Sequence, residues 1–252
     1  LELQKYSEIE SVVCLTGQHR EMLHQVMKIF KIEAKYDLNI MQPKQTLTTI
    51  AIRILEKFEE VLKIEKPGIV LVHGDTSTSF LAALAAFYQQ IPVGHVEAGL
   101  RTYNIYSPYP EEFNRQAVSI ISSWNFAPTE LSKQNLLKEG KAEDTIYVTG
   151  NTAIDALKTT VRKDYTHPEL TWAAGSRLIL ITAHRRENLG EPMKHMFRAI
   201  RRVCDEHPDI KAIYPIHMNP AVRETADAIL GGDERIRIIE PLDVLDFHNF
   251  LA

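Results

Sequence analysis

The sequence predicts a doubly wound α/β fold, and three observations predict it. Short apolar runs rich in β-branched residues alternate with longer helical patterns along all 252 residues. Several of these runs are unbroken, such as Ile69-Val70-Leu71-Val72 and Leu178-Ile179-Leu180-Ile181. Strands of a parallel sheet, covered by helices on both faces, read this way. Polar and ionisable residues then follow directly after the strands, where an open parallel sheet binds its ligands.

The elements follow in order. Residues 1–13 read as the tail of a helix running into a strand at 11–16. Further strands are expected at 68–72, 92–96, 124–127 and 146–148, and a second series at 178–182, 210–215 and 236–239. Helical periodicity occupies 19–30, 46–63, 77–88, 111–121, 130–138 and 153–162, then 193–207, 220–230 and 243–251. Start signals agree with this. Thr76 and Ser77 precede an Ala/Leu-rich helix, and Pro110 stands before Glu111-Glu112, where carboxylates suit the positive end of a helix.

The segment 163–176 breaks the rhythm with His167-Pro168 and Ala174-Gly175-Ser176, and it reads as a linker. It divides the chain into a first Rossmann-like domain over 1–165 and a second over 166–252. The second has three expected strands and stops inside a helix, so it reads as incomplete. The first reads as lacking its opening strand, which is central in sheets of this order. Without it, two neighbouring strands would hold unpaired backbone groups in a buried place. The chain begins at Leu1, and no signal peptide is visible.

Composition narrows the classes. Lys and Arg number 29 against 33 Asp and Glu, a net charge of −4, with 44% hydrophobic residues. That excludes a disordered tail, a collagen-like repeat and a strongly basic nucleic-acid binder. Cys14 and Cys204 form no CxxC and suit reduced, cytosolic thiols. The longest apolar run, 80–88, is too short to span a bilayer.

The candidate chemistry lies after the strands. Asp75 follows one, Glu97 the next, and Glu111 opens the helix beyond the loop Tyr106-Ser107-Pro108-Tyr109-Pro110. Crowded carboxylates separate their pKa values, so one can donate a proton while another accepts. The plain alternative is that each is a solvated cap or turn residue. Three at one rim favour acid/base work. His184-Arg185-Arg186, with Arg101, forms a cationic cluster suited to a phosphorylated substrate, because Arg binds phosphate through two parallel hydrogen bonds. Its alternative is a surface salt-bridge patch. His73 with Asp75, and His95 with Glu97, have ligand-like spacing, but His95 sits in a strand and reads as core, so no metal and no cofactor is assigned. His217 follows a later strand and either binds substrate or packs behind the rim. No GxGxxG, GxxxxGK[ST] or GxSxG occurs after a strand, so nicotinamide, P-loop and serine-hydrolase readings lack their motifs.

Taken together, these motifs closely resemble the bacterial non-hydrolysing UDP-N-acetylglucosamine 2-epimerases. The resemblance runs along essentially the whole chain. It is carried by Thr16-Gly17-Gln18-His19-Arg20-Glu21-Met22-Leu23, Tyr36-Asp37-Leu38-Asn39-Ile40-Met41 and Val70-Leu71-Val72-His73-Gly74-Asp75-Thr76. Val93-Gly94-His95-Val96-Glu97-Ala98-Gly99-Leu100-Arg101-Thr102, Tyr106 to Glu112, Val148-Thr149-Gly150-Asn151-Thr152-Ala153-Ile154-Asp155-Ala156-Leu157 and Thr182-Ala183-His184-Arg185-Arg186-Glu187-Asn188 continue it.

The resemblance implies two Rossmann-like domains in a GT-B fold. It also implies a reaction: UDP-GlcNAc loses its C2 proton and UDP in an anti elimination, and re-addition gives UDP-ManNAc for cell-surface polysaccharide. By resemblance, Asp75, Glu97 and Glu111 are catalytic, with His184 on the nucleotide diphosphate. Phe247 matches a uracil-side aromatic, while Arg101 and Arg185 of the cationic cluster, with His217, are the expected substrate contacts. Gln18, Glu111, Arg185 and His217 match an activator site for a second UDP-GlcNAc, and Glu21 stands where some relatives have glutamine. A cytoplasmic homodimer without nucleic-acid or membrane partners is implied as well. The family's opening G-T-R-P-E loop and its later S-G-G-x-Q-E-E-A segment do not occur in the sequence. The competing readings are a non-catalytic fragment of that enzyme and, further off, a hydrolysing epimerase or another GT-B glycosyltransferase.

Overall fold

The structure is a computed structural model. It describes residues 1–17, 20–42, 45–183 and 188–252, with the backbone alone for Arg20, Glu21, Met22 and His24. The chain forms two compact units, Leu1–Asp155 and Ala156–Ala252.

In the first unit, β1 (Cys14–Leu15) leads to α1 (Arg20–Phe30) and β2 (Tyr36–Asp37), then to α2 (Leu47–Glu65). Next come β3 (Val70–His73), α3 (Ser77–Tyr88), β4 (Val93–Val96), α4 (Glu111–Ile121) and β5 (Trp124–Ala127). The unit ends with α5 (Glu130–Lys138), β6 (Ile146–Val148) and the start of α6 (Thr152–Thr160), within which the unit boundary falls. The second unit holds α7 (Pro168–Ala173), β7 (Arg177–Leu180), α8 (Glu191–Glu206), β8 (Ile210–Pro215), α9 (Pro220–Leu230), β9 (Ile236–Ile239) and α10 (Val244–Leu251).

Every recorded strand pairing is parallel. β3, β4, β5 and β6 lie side by side in chain order, β7, β8 and β9 do the same, and β1 pairs with β2. A parallel neighbour needs a crossover, and the helices supply it. Their starts are written locally. Thr46 caps α2 through a capping box with Thr49, and Thr76 and Thr129 accept from the third residues of α3 and α5.

Helix packing covers the sheets. Ile54, Phe58 and Val61 of α2, with Leu81, Ala83 and Ala86 of α3, bury against Val70, Val72 and Val93. Each large side chain buried this way contributes about 1.5–3 kcal/mol. In the second unit, Met193, Phe197 and Cys204 of α8 meet Val222, Ala226 and Leu230 of α9 over Ala212 and Tyr214.

The expected strands from 68 onward and the helices from 46 onward appear within a few residues of their places, as the α/β reading requires. Four local features differ. Residues 1–8 hold a single 3-10 turn, Leu3–Lys5, rather than the end of a helix. The first strand shrinks from 11–16 to two residues. β2 lies in a stretch without a continuous apolar run, so no periodicity announces it. The expected linker contains α7, with Pro168 in its first turn and the Trp172 ring centre 4.7 Å from Lys211 Nζ and 4.4 Å from the Arg237 guanidinium. A groove of about 780 Å³ runs along β3 and β1, lined by Val12, Cys14, Val70 and Val72 among others. Among the described residues, no helix is long and apolar enough to cross a membrane.

Candidate active site

The site is built at the carboxyl ends of β3 and β4. The chain leaves β3 at His73 and turns through Gly74, whose φ of +68° is open to glycine at no steric cost. The turn then delivers Asp75 and enters α3 through Thr76.

Each carbonyl of this turn is held by a buried side chain from a different element. The Ser79 hydroxyl, from α3, donates to the His73 carbonyl. His95 Nε2, from β4, lies 2.8 Å from the Gly74 carbonyl oxygen. Asn114 Nδ2, from α4, donates to the Asp75 carbonyl at 2.8 Å. Arg115, the next residue, places Nη2 2.7 Å from Asp75 Oδ2.

His95 is fully buried. Its burial is the main reason its pKa falls to about 4, with the Arg101, His73 and Arg115 charges adding to the effect. At neutral pH it is therefore an uncharged imidazole, and the carbonyl requires the Nε2–H tautomer. Turned inward in this way, His95 cannot join His73, Asp75 and Glu97 around an ion. Among the described residues, no group of three His, Cys, Asp or Glu could hold a metal.

Glu97 follows β4 with a φ of +66°. A non-glycine residue in this region is strained, and such strain gathers at functional sites. Its Oε2 lies 3.7 Å from His73 Nε2, which is itself 3.0 Å from Thr152 Oγ1. A Cβ built on Gly74 would lie 3.4 Å from the same carboxylate oxygen. The turns carrying Asp75 and Glu97 therefore lie against each other, as neighbouring strand ends must.

Glu111 and Glu112 open α4, and the structure separates their roles. Glu112 is completely buried. It accepts from the Thr102 and Tyr103 amides, both at 3.0 Å, and from Gln116 Nε2 at 2.8 Å. Burial alone would raise its pKa, but these hydrogen bonds and the Arg115 charge outweigh burial and lower it. Glu111 is half-buried, and its side chain makes no hydrogen bond or ion pair with the described residues. Asn114 and Arg115 stand three and four positions beyond it, on the same face of α4. Asp75, Glu97 and Glu111 thus share one corner of the first unit.

Arg101 is placed differently from the expected substrate contact. Its side chain is closed to solvent. Nε and Nη2 donate to Glu139 at 2.7 Å each, Nη2 also reaches Ser119 Oγ at 2.9 Å, and Nη1 reaches the Leu100 carbonyl at 2.8 Å. With four of its hydrogen bonds made inside the unit, it braces the loop after β4. In the second unit, His217 follows β8, is exposed, and accepts at Nδ1 from the Asn219 amide at 3.1 Å. Phe247 sits half-buried on α10. His184, Arg185 and Gln18 lie outside the described residues.

Ser79, Asn114 and Arg115 are not among the residues the sequence singles out. The signal for the last two was their i+3 and i+4 spacing from Glu111.

These features define a doubly wound α/β protein with carboxylates gathered near the carboxyl ends of its parallel strands. The protein-family model for UDP-N-acetylglucosamine 2-epimerase matches residues 1–252. The UDP-N-acetylglucosamine 2-epimerase of Bacillus subtilis is 58% identical over 252 residues, covering 100% of this chain and 66% of that protein. Among solved structures, Staphylococcus aureus MnaA with UDP aligns at a TM-score of 0.90 and 52% identity, covering 98% of this chain and 66% of that one. The Neisseria meningitidis UDP-GlcNAc 2-epimerase bound to UDP-GlcNAc aligns at 0.89 and 49%, covering 98% and 69%. The chain belongs to the UDP-N-acetylglucosamine 2-epimerase family. It spans about two thirds of the length of the relatives it matches.

Proposed function

We propose that the protein epimerises UDP-GlcNAc at C2, giving UDP-ManNAc by anti elimination and re-addition of UDP. The observation that carries this is the corner where Asp75, Glu97 and Glu111 converge on one side of the first unit. Moving a proton at C2 needs proton-transfer groups within reach of one carbon, and neighbouring carboxylates are suited to that work. Asp75 contacts a guanidinium, Glu97 faces an imidazole, and Glu111 has neither. Departure of UDP needs a holder for the diphosphate, and by family resemblance His184 contacts it, with Phe247 beside the uracil; Arg185 and His217 are proposed as further substrate contacts. Arg101 is assigned here to bracing the loop.

Resemblance alone supports the rest of the reading. The protein works as a cytoplasmic homodimer, feeds cell-surface polysaccharide, and takes a second UDP-GlcNAc as activator at Gln18, Glu111, Arg185 and His217. The domains are those of the sequence reading, with the nucleotide held by the second.

The test is incubation with UDP-GlcNAc in D2O. Deuterium at C2 and formation of UDP-ManNAc are expected, and their absence refutes the activity. A second reading is a non-catalytic piece of such an enzyme. Thermal melting with and without UDP distinguishes it, since a ligand that binds the native state raises the melting temperature.

A further inference from the structure

We infer that Arg115 is a positioning residue for Asp75, with Asn114 as its backbone counterpart. The inference rests on the reading of Asp75 as catalytic.

The geometry carries it. Arg115 and Asn114 are consecutive on α4, and together they hold both ends of one residue. Asn114 fixes the Asp75 carbonyl at 2.8 Å, and Arg115 fixes its carboxylate at 2.7 Å. A residue held only by its backbone keeps a free χ1. A residue held also at its carboxylate points in one direction. Acid/base catalysis depends on that direction, because a proton acceptor must lie within hydrogen-bond reach of the proton it takes.

Arg115 is itself braced. Its side chain is 11% exposed, and its Nε lies 3.6 Å from Glu112 Oε2. That separation is an ion pair longer than a hydrogen bond, so Nε is left without a hydrogen-bond partner. The guanidinium therefore bridges a completely buried structural carboxylate and a partly exposed one. Glu112 in turn holds the 102–103 backbone, so the loop after β4, the first turn of α4 and the turn after β3 are joined through one side chain. The bridge makes Asp75 and the start of α4, where Glu111 sits, parts of one rigid piece.

The test uses the full chain and the variants Arg115→Met, which keeps bulk without charge, and Arg115→Lys. One readout needs no turnover: the rate of carbodiimide labelling at Asp75, followed by mass spectrometry. The second is C2 deuterium exchange, separated into kcat and KM. Arg115→Met is expected to label Asp75 several-fold faster and to lose about tenfold or more in kcat with little change in KM. Added guanidinium at low millimolar concentration should restore part of the rate, and Arg115→Lys should fall between Met and wild type. Unchanged labelling in Arg115→Met overturns the inference. So does a kcat loss that guanidinium leaves untouched and that follows the melting temperature down. If the wild-type chain shows no exchange, the functional reading fails, and the labelling rates still decide the role of Arg115.

Discussion

His95 and Gly74 are tied across neighbouring strands: the imidazole Nε2 lies 2.8 Å from the Gly74 carbonyl oxygen, inside the protein. Burial of the imidazole, which this bond offsets only in part, ties pH to stability. Burial lowers the His95 pKa from 6.5 to about 4 in the folded chain. A depressed histidine means the native state binds fewer protons than the unfolded one between those values. Its contribution is therefore complete above about pH 6.5 and is lost as pH falls toward 4. At 1.36 kcal/mol per pKa unit, the loss is on the order of 3 kcal/mol. Urea denaturation between pH 7 and pH 4 should show it. His95→Gln, which retains an N–H donor but does not titrate, should flatten that part of the profile. An equally steep profile in the variant would assign the loss to other groups.

Arg101 and Glu139 make the second prediction. The arginine side chain is fully closed to solvent, while the Glu139 side chain is 29% exposed. Removing one member of such a pair strands the other. Arg101→Met should cost roughly 2–4 kcal/mol in urea denaturation. Glu139→Gln should cost a comparable amount, and the double variant less than the sum of the two. UDP affinity should change little once folding is accounted for. A large loss of UDP binding at unchanged stability would return Arg101 to the substrate.

What the sequence discloses follows the range of each interaction. β3 to β6 are legible because each is a short stretch rich in apolar residues with a helix beyond it, and both signals are local. β2 is not, because Tyr36 and Asp37 become strand only through pairing with Cys14 and Leu15. α7 hides behind His167-Pro168, which reads as a break until the proline is seen in a first turn. Asp75, Glu97 and Glu111 are legible because strand ends can be counted. The partner of the buried His95 and the engagement of Arg101 are not, because Gly74 and Glu139 are distant in sequence. Choosing between the adjacent Glu111 and Glu112 depends on burial, which residue type does not reveal.

Gly99 gives a test of the loop after β4. Its φ is +86°, and an added Cβ would lie 2.2 Å from the Ser132 carbonyl oxygen. Gly150 has a similar φ of +82° with nothing within 4 Å. The pair separates backbone strain from collision. Gly150→Ala should cost about 1–2 kcal/mol, the strain of a left-handed alanine. Gly99→Ala should cost more, about 3 kcal/mol or above, because backbone must move as well. Chemical denaturation of both variants reads the difference, and equal costs would mean that the loop yields without resistance.

Glu111 and Glu112 are neighbours with opposite expected behaviour. Glu112 receives three hydrogen bonds in a completely buried place, and Glu111 receives none from the described residues. Glu112→Gln replaces an acceptor oxygen with an amide that must face donors. It should destabilise the protein by about 1–3 kcal/mol. The lowered pKa of Glu112 adds a pH signature. Its contribution is present above the ordinary carboxylate range and is lost as pH falls through the folded value, so the variant should lose less than wild type on acidification. Glu111→Gln should leave the melting temperature within a degree or two, roughly the scatter of surface substitutions. It should also lower C2 exchange by about a hundredfold or more, as removal of an acid/base group does. Melting curves and exchange rates for the two variants decide the matter. If Glu112→Gln alone abolishes exchange at full stability, the carboxylate that meets the substrate is the second of the two, and α4 must open its first turn to present it.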